Sequence, residues 1–239
     1  MKRYICLGLA LMLILGVFAF GTSAKAVFSP YEDANGVRKY CACGNCFVAD
    51  QAGTVQYVNG EDGCLRHTDV EGNVTDGCDG TLLQWKPWTS GSSLPVDTSG
   101  NFYLTEDVQL TGPCNIGENV SIALDLNGHT VSGAQNSTVY SAYAPGAGLL
   151  LTDTAGGGAI CAQGAATGLW VRHGSLVMYG GTVDASNATD TAIKVSTTEE
   201  NNIGLWNVQV QDDQGSVVLT TPEGTYLSRT KSSSNVGAT

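Results

Sequence analysis

The sequence predicts an all-β fold: a right-handed parallel β-helix with three strands per turn, preceded by a small cysteine-rich module. Three observations support this prediction. After Val108, no long stretch places apolar residues at the spacing of a helix. Short β-branched runs alternate instead with Gly and Asn turns, and the chain has 31 Gly but only 6 Pro among its 239 residues. These runs also repeat, with a period typical of a solenoid.

Apolar residues recur in three predicted columns, one for each side of the coil. The first contains Leu126, Leu151, Met178 and Leu205, and the second contains Val131, Ile160, Val183 and Val210. The third contains pairs at steps of 24 residues: Leu169 with Val171, Ile193 with Val195, and Val217 with Leu219. Leu151 and Ile160 fit if residues 156–158 bulge outward. Because crossovers between parallel strands are overwhelmingly right-handed, we expect a right-handed coil.

An antiparallel β-sandwich is the alternative, because its strands are spaced similarly along the chain. The regular steps of 24 residues favour the solenoid, as does the lack of Asn-Gly hairpins between adjacent strands. Asn127 and Gly128 form the one such pair in the repeat region, and we predict that they form a corner within a turn.

The amino-terminal residues 1–26 have the pattern of a secretory signal peptide. Lys2 and Arg3 precede an apolar run over 4–20, and an Ala-x-Ala exit ends at Ala26. An uncleaved membrane anchor is the alternative, and it is the one route to a membrane that the sequence offers. We therefore expect an exported protein, extracellular or at the cell surface.

The charge balance excludes a nucleic-acid partner. Removal of residues 1–26 takes three of the 11 basic residues and none of the 22 acidic ones, which leaves a formal charge of −14. Nucleic-acid binding needs a basic surface. The excess of carboxylates is typical of a soluble surface held apart by like charge.

The mature chain divides into three predicted parts: a cysteine-rich module over 27–84, the β-helix domain over 85–231 and a polar tail over 232–239. Residues 225–227 resemble the start of another turn, so we expect the chain to be cut short. Tyr103 and Val108 predict an early, less regular turn. Trp85 and Trp88 precede it, either as a cover for the open end of the coil or as a platform for sugars.

Two arrangements are open for the cysteine-rich module. Zinc would take four soft or imidazole ligands, and the workable set is Cys41, Cys43, His67 and Cys78, with Cys46 paired to Cys64. Disulfides throughout are the alternative, which export favours. In either case the cross-links hold a segment too small to build its own core. Cys114 and Cys161 lie in the coil, and their separation predicts that they do not pair.

Four runs carry a resemblance to known proteins: W-K-P-W at 85–88, L-P at 94–95, G-N-F-Y-L-T-E-D-V at 100–108 and L-D-L-N-G-H-T-V at 124–131. They resemble exported bacterial surface proteins of Gram-positive type with right-handed β-helix domains, similar in fold to pectate lyases. The resemblance spans about 41–219 and implies architecture and location, but it transfers no catalytic residue. In those proteins a Cys-x-Cys-Gly, His and Cys arrangement resembles a small metal knuckle.

The pectate-lyase-like fold implies acidic residues for calcium and a base on one outer face. Asp153, Asp184 and Arg172 are the candidates here, but no acid and base recur at the spacing that proton transfer needs. A polysaccharide lyase or glycoside hydrolase acting on an acidic or host polysaccharide is therefore the alternative function. Calcium is expected with that alternative alone.

A structural or adhesive binding role, toward a glycan or a surface protein, is the preferred prediction. Trp170, Tyr179 and Trp206 adjoin inward-pointing positions and are therefore predicted to face outward as a binding surface. Packing of these aromatic side chains under loops is the alternative.

Overall fold

A computed structural model describes residues 28–58, 78–164, 166–196, 203–205, 208–212, 215–219 and 233–236, with side-chain burial through residue 194. Within these ranges the regular structure is β throughout, and no helix there is long and apolar enough to cross a bilayer. The predicted signal peptide, Cys64, His67 and Trp206 lie outside the described residues.

Among the described residues, four strands precede the coil: β1 (Arg38–Cys41), β2 (Cys46–Val48), β3 (Val55–Tyr57) and β4 (Leu82–Trp88). The strands that follow are β5 (Gly100–Leu104), β6 (Val108–Gln109), β7 (Cys114–Asn115), β8 (Ser121–Asp125), β9 (Thr130–Ser132), β10 (Tyr140–Ala142), β11 (Gly148–Thr152), β12 (Ala159–Gly164), β13 (Leu169–Val171), β14 (Ser175–Met178), β15 (Thr182–Ala188) and β16 (Ile193–Ser196). The last described strands are β17 (Ile203–Leu205), β18 (Val208–Asp212), β19 (Gly215–Leu219) and β20 (Ser233–Val236).

The strands lie in three sheets. The first has the order β17-β14-β11-β8-β5-β4-β1-β2-β3, the second β19-β18-β15-β12-β9-β6, and the third β20-β16-β13-β10-β7. From β5 to β18, neighbours within a sheet run parallel and are three strands apart in the chain. The molecule is therefore a parallel β-solenoid of about four turns, which confirms the solenoid over the sandwich.

The second predicted column is confirmed. Val131, Ile160 and Val183 are fully buried and adjacent in register, and Val210 pairs with Val183 in the next turn. Val108 begins the same column opposite Val131, as its spacing from Tyr103 predicts. The extra residues around 156–158 lie between β11 and β12 and leave the register of these strands intact.

The first predicted column is right except at its first member. Leu151 pairs with Met178, and Met178 pairs with Leu205, but Leu124 rather than Leu126 is opposite Leu151. Leu126 is also buried, because it is two residues after Leu124 and its side chain therefore points to the same side of the strand. It follows the end of β8, however, at the corner that Asn127 and Gly128 complete with positive φ angles.

The third predicted column is right for two steps and wrong for the last. Leu169 pairs with Ile193, and Val171 with Val195. Val217 and Leu219 do not continue this column, because β19 returns antiparallel to β18 within the second sheet. β18 ends at Asp212 and β19 begins at Gly215, a spacing that suits antiparallel neighbours.

The cysteine-rich segment continues the first sheet of the coil. β4 pairs parallel with β5 and antiparallel with β1, so the predicted boundary between residues 84 and 85 falls inside a strand. Trp85 is fully buried, stacks on Tyr40 with ring centroids 4.5 Å apart and donates its indole N–H to the Tyr40 carbonyl. Trp88 packs on the core of the coil. Their burial favours a covering role over a sugar platform. Within the predicted polar tail, β20 pairs antiparallel with β16.

The interior column makes a stability prediction. Replacing Ile160, which is fully buried, with Ala should lower the free energy of unfolding by about 2–5 kcal/mol, because it removes methylene groups and leaves a cavity. The matched control is Cys161→Ala on the same strand, where the side chain is part-exposed and faces outward. Urea denaturation of both variants measures the difference, and equal losses would contradict the register.

Candidate functional site

A tight turn between β1 and β2 brings two cysteines to one side of the chain. Cys41 ends β1, and the Gly44 N–H donates to the Cys41 carbonyl at 2.9 Å. Gly44 has a φ of 78°, which is the left-handed region that glycine adopts without strain. Cys78 approaches from β4, because the antiparallel pairing with β1 places Leu82 opposite Cys41.

The sulfur atoms of Cys41, Cys43 and Cys78, which we call the cysteine cluster, lie within 4.8 Å of one another. The Cys41 and Cys43 sulfurs are 3.6 Å apart, too far for a disulfide. Two thiolates on one tetrahedral zinc ion, with bonds of about 2.3 Å, would be about 3.8 Å apart. The Cys46 N–H also donates to the Cys41 sulfur at 3.2 Å. All three side chains are buried, and this cluster could hold a metal ion.

Burial raises the pKa of the Cys43 thiol far above its ordinary value, and hydrogen bonding with the Cys41 and Cys78 sulfurs raises it further. The Cys43 thiol therefore keeps its proton at neutral pH unless a cation replaces it. A metal ion that binds here would release protons, so metal affinity must rise with pH.

The structure divides the cysteines between thiols and disulfides. Cys46 is disulfide-bonded, and its partner lies outside the described residues. Cys41, Cys43 and Cys78 are thiols, although export favoured disulfides for them. The fourth predicted zinc ligand, His67, lies outside the described residues. Cys114 and Cys161 are both unpaired, as their predicted separation required.

The coil contributes an aromatic side chain to this site. Tyr179 follows β14, is 4% exposed and packs in the same buried group as Cys41, Cys43 and Cys78. The prediction that Tyr179 belongs to an exposed binding surface is therefore wrong. The Tyr179 side chain points outward from the coil, as expected. The cysteine-rich segment, however, covers it, although the two are more than 100 residues apart in the chain.

A buried carboxylate joins the same segment to the coil. Asp125 accepts hydrogen bonds from the Tyr40 hydroxyl at 2.8 Å, from the Thr154 hydroxyl at 2.5 Å and from the N–H groups of Thr154 and Asn127. Burial raises the pKa of Asp125 above its ordinary value, although these donors act in the opposite direction. Thr154 also touches Gly44, because a Cβ on Gly44 would lie 2.5 Å from the Thr154 methyl group.

A second group of side chains lies on the outer side of the third sheet, and we call it the aromatic face: Tyr143, Trp170, Arg172 and Lys194. The rings of Tyr143 and Trp170 meet edge to face with centroids 5.8 Å apart. The Arg172 guanidinium carbon lies 4.7 Å from the Tyr143 centroid and 5.7 Å from the Trp170 centroid, and Arg172 donates to the Tyr143 hydroxyl. Lys194 is beside Trp170 in register, and its ammonium group contacts Asp190 at 3.3 Å.

The aromatic face was only partly predictable. Trp170 is part-exposed and Tyr143 is 37% exposed, so the outward orientation of Trp170 is confirmed. Trp206, its predicted companion, lies outside the described residues. Lys194 was missed, although the step of 24 residues places it directly above Trp170.

The three catalytic candidates lie in different parts of the coil. Asp153 is at the corner after β11, where its carboxylate accepts the N–H groups of Gly128 and Gly158. Asp184 lies within β15 and accepts the Ser186 N–H. Arg172 belongs to the aromatic face. Both carboxylates therefore accept hydrogen bonds from backbone N–H groups, and the topology does not collect the three residues on one side.

No protein-family model, curated protein or solved structure matches this chain. The resemblance to exported β-helix proteins of Gram-positive type therefore stays a prediction from the residues that carry it.

The contact between Gly44 and Thr154 is open to a direct test. Gly44→Ala should destabilise the protein more than Gly53→Ala. Both glycines have positive φ, 78° and 83°, so each alanine costs about 1–2 kcal/mol in backbone strain. Nothing lies within 4 Å of a Cβ at Gly53, whereas one at Gly44 meets Thr154. Chemical denaturation measures both variants, and equal losses would exclude this contact as a constraint.

The raised pKa of Asp125 predicts an unusual dependence of stability on pH. The folded protein binds this proton more tightly than the unfolded chain, whose aspartate pKa is about 3.9. The stabilisation is therefore complete below that pH and is lost as the pH rises through the folded value. The stability of the wild type minus that of Asp125→Asn should fall with rising pH.

Asp107 supplies a control of opposite sign. The Thr130 N–H and His129 lower the pKa of this exposed carboxyl. The stability of the wild type minus that of Asp107→Asn should therefore rise as the pH increases from about 3 to 5. Thermal unfolding across that pH range measures how each stability difference changes with pH. If both differences changed in the same direction, the raised pKa of Asp125 would be contradicted.

Proposed function

We propose that this protein is an exported, surface-associated, right-handed β-helix with three strands per turn, and that it binds a glycan through the aromatic face. The observation that supports this role best is the pairing of part-exposed Trp170 with exposed Tyr143, with Arg172 over both rings. Export rests on the sequence pattern of residues 1–26.

The chemistry of the aromatic face suits a sugar ring. Aromatic side chains pack against the apolar C–H face of a sugar, and a guanidinium donates to hydroxyl or carboxylate oxygens around the ring. Parallel stacking holds Trp170 and Lys194 side by side in adjacent turns, which gives an extended ligand two neighbouring contacts. Trp206 joins this proposal on sequence grounds alone, and Tyr179 leaves it because it is buried.

A polysaccharide lyase or hydrolase is the second candidate. Its support is the general resemblance to pectate lyases, with Asp153, Asp184 and Arg172 as the residues to test. The hydrogen bonds that Asp153 and Asp184 accept from backbone N–H groups explain both carboxylates without a reaction. The binding role is therefore preferred.

We further propose that zinc occupies the cysteine cluster. Three thiolates at a tetrahedral separation suit this borderline-soft ion, and a fourth ligand completes a structural site. His67 is the fourth ligand that the sequence favours. The ion would serve as a cross-link in a segment with little core of its own.

The glycan proposal predicts a loss of affinity without a loss of fold. The mature protein is screened against plant, host and microbial glycans, with calcium present and product formation monitored. For a glycan that binds, Trp170→Ala should raise the Kd at least about tenfold, equal to about 1.4 kcal/mol, while the Tm changes little. The control is Val55→Ala, which removes an exposed apolar group in β3, outside the aromatic face.

Each other outcome has a definite meaning. Binding that survives Trp170→Ala would contradict the aromatic face as the site. Turnover of a glycan would favour the enzymatic candidate and direct substitutions to Asp153, Asp184 and Arg172. No binding to any glycan would contradict the proposed ligand class.

A further inference from the structure

The outer side of the first sheet is apolar where the cysteine-rich segment meets it. Along β11 and β14, Leu149, Leu151, Leu176 and Met178 point into the coil and are buried there. The alternate residues Leu150 and Val177 must point outward. Both are apolar and part-buried, and both pack on the buried group that contains the cysteine cluster and Tyr179.

Strand pairing and side-chain packing hold the covering segment on the coil. Its strands β1, β2 and β3 have four, three and three residues, which is too little to bury a separate core. Its side-chain contacts with the coil include the Tyr40–Asp125 hydrogen bond, the Tyr103 hydroxyl that donates to the Gly36 carbonyl at 2.7 Å, the approach of Gly44 to Thr154 and the packing of Tyr179 among the cysteines. The last two of these contacts adjoin the cysteine cluster.

We infer that a metal ion in the cysteine cluster clamps the amino-terminal segment onto the outer side of the coil, with Tyr179 as the contact that couples the two. A metal bound by Cys41 and Cys78 cross-links two positions that are far apart in the chain and fixes the turn at Gly44 against Thr154. Metal loading therefore sets how firmly Val177 and Tyr179 are covered, whereas Leu150 also packs on the aromatic cluster around Tyr40 and Trp85. This inference rests on the proposed metal site.

The predicted consequence is that zinc stabilises residues of the coil that do not bind it. The Tyr179 N–H donates to the Leu151 carbonyl, and β14 pairs with β11, so amide exchange over 175–179 reports the clamp from the coil side. We expect zinc-loaded protein to exchange these amides at least tenfold more slowly than protein treated with a chelator under argon. No thiol reductant is added, so that the Cys46 disulfide stays intact.

A double-mutant cycle tests the coupling. Elemental analysis should find one zinc per chain, and zinc should raise the Tm of the wild type by several degrees. Cys43→Ser should abolish that shift. Tyr179→Ala should at least halve it while the zinc content stays at one, and the two substitutions should be non-additive. Cys161→Ser is the matched control, because it removes an unpaired thiol of the coil outside the cluster and should leave the shift intact.

The outcomes separate the two proposals. Absence of bound zinc would overturn the metal site and the clamp together. One zinc per chain with unchanged exchange over 175–179, or a full Tm shift in Tyr179→Ala, would overturn the clamp alone. If Cys43→Ser does not fold, the comparison of zinc-loaded and chelated wild type by amide exchange decides the question.

Discussion

The structure depends on in-register stacking of aliphatic side chains between successive turns. A single turn of the solenoid has only short strands and cannot bury its own apolar side, so each turn is stable only against its neighbours. Val131, Ile160 and Val183 show this directly, since each is fully buried and lies opposite the next. Each such side chain contributes on the order of 1.5–3 kcal/mol by leaving water. The same register also places outward residues above one another, which is how Trp170 and Lys194 become neighbours.

The outward residues of the first sheet impose a second constraint. Leu150 and Val177 give that side an apolar surface, and an exposed patch of this kind needs cover. The cysteine-rich segment supplies it and adds Tyr40, whose hydroxyl satisfies the buried Asp125 carboxylate. Burying a carboxylate is costly even when several donors bond to it, so this contact specifies where the segment lies more than it stabilises the fold.

The two candidate sites differ in what surrounds them. The cysteine cluster is enclosed by its own segment and by Tyr179, so its thiols are available to an ion but not to a large ligand. The aromatic face is open to solvent at Tyr143 and carries cations beside its rings. The first is suited to holding the molecule together, and the second to recognising something outside it. Asp153 and Asp184 serve neither site, because their carboxylates accept hydrogen bonds from backbone N–H groups of the coil.

The sequence alone determined the solenoid, most of its columns and the cysteines that could bind metal, because alternation and repeat spacing are local properties of the chain. It placed Ile160 and Val183 in one column, and it singled out Cys41, Cys43 and Cys78. Only the tertiary structure decided which outward residues are covered: Tyr179 and Trp170 adjoin inward positions in the same way, but one is buried under a distant segment and the other is part-exposed. The antiparallel return of β19 was likewise a tertiary choice, since Val217 and Leu219 match the repeat as well as the true members do. The spacing of apolar residues in the sequence indicates to which side of a strand each side chain points. Contacts between segments that are distant in the chain decide what packs against that side chain.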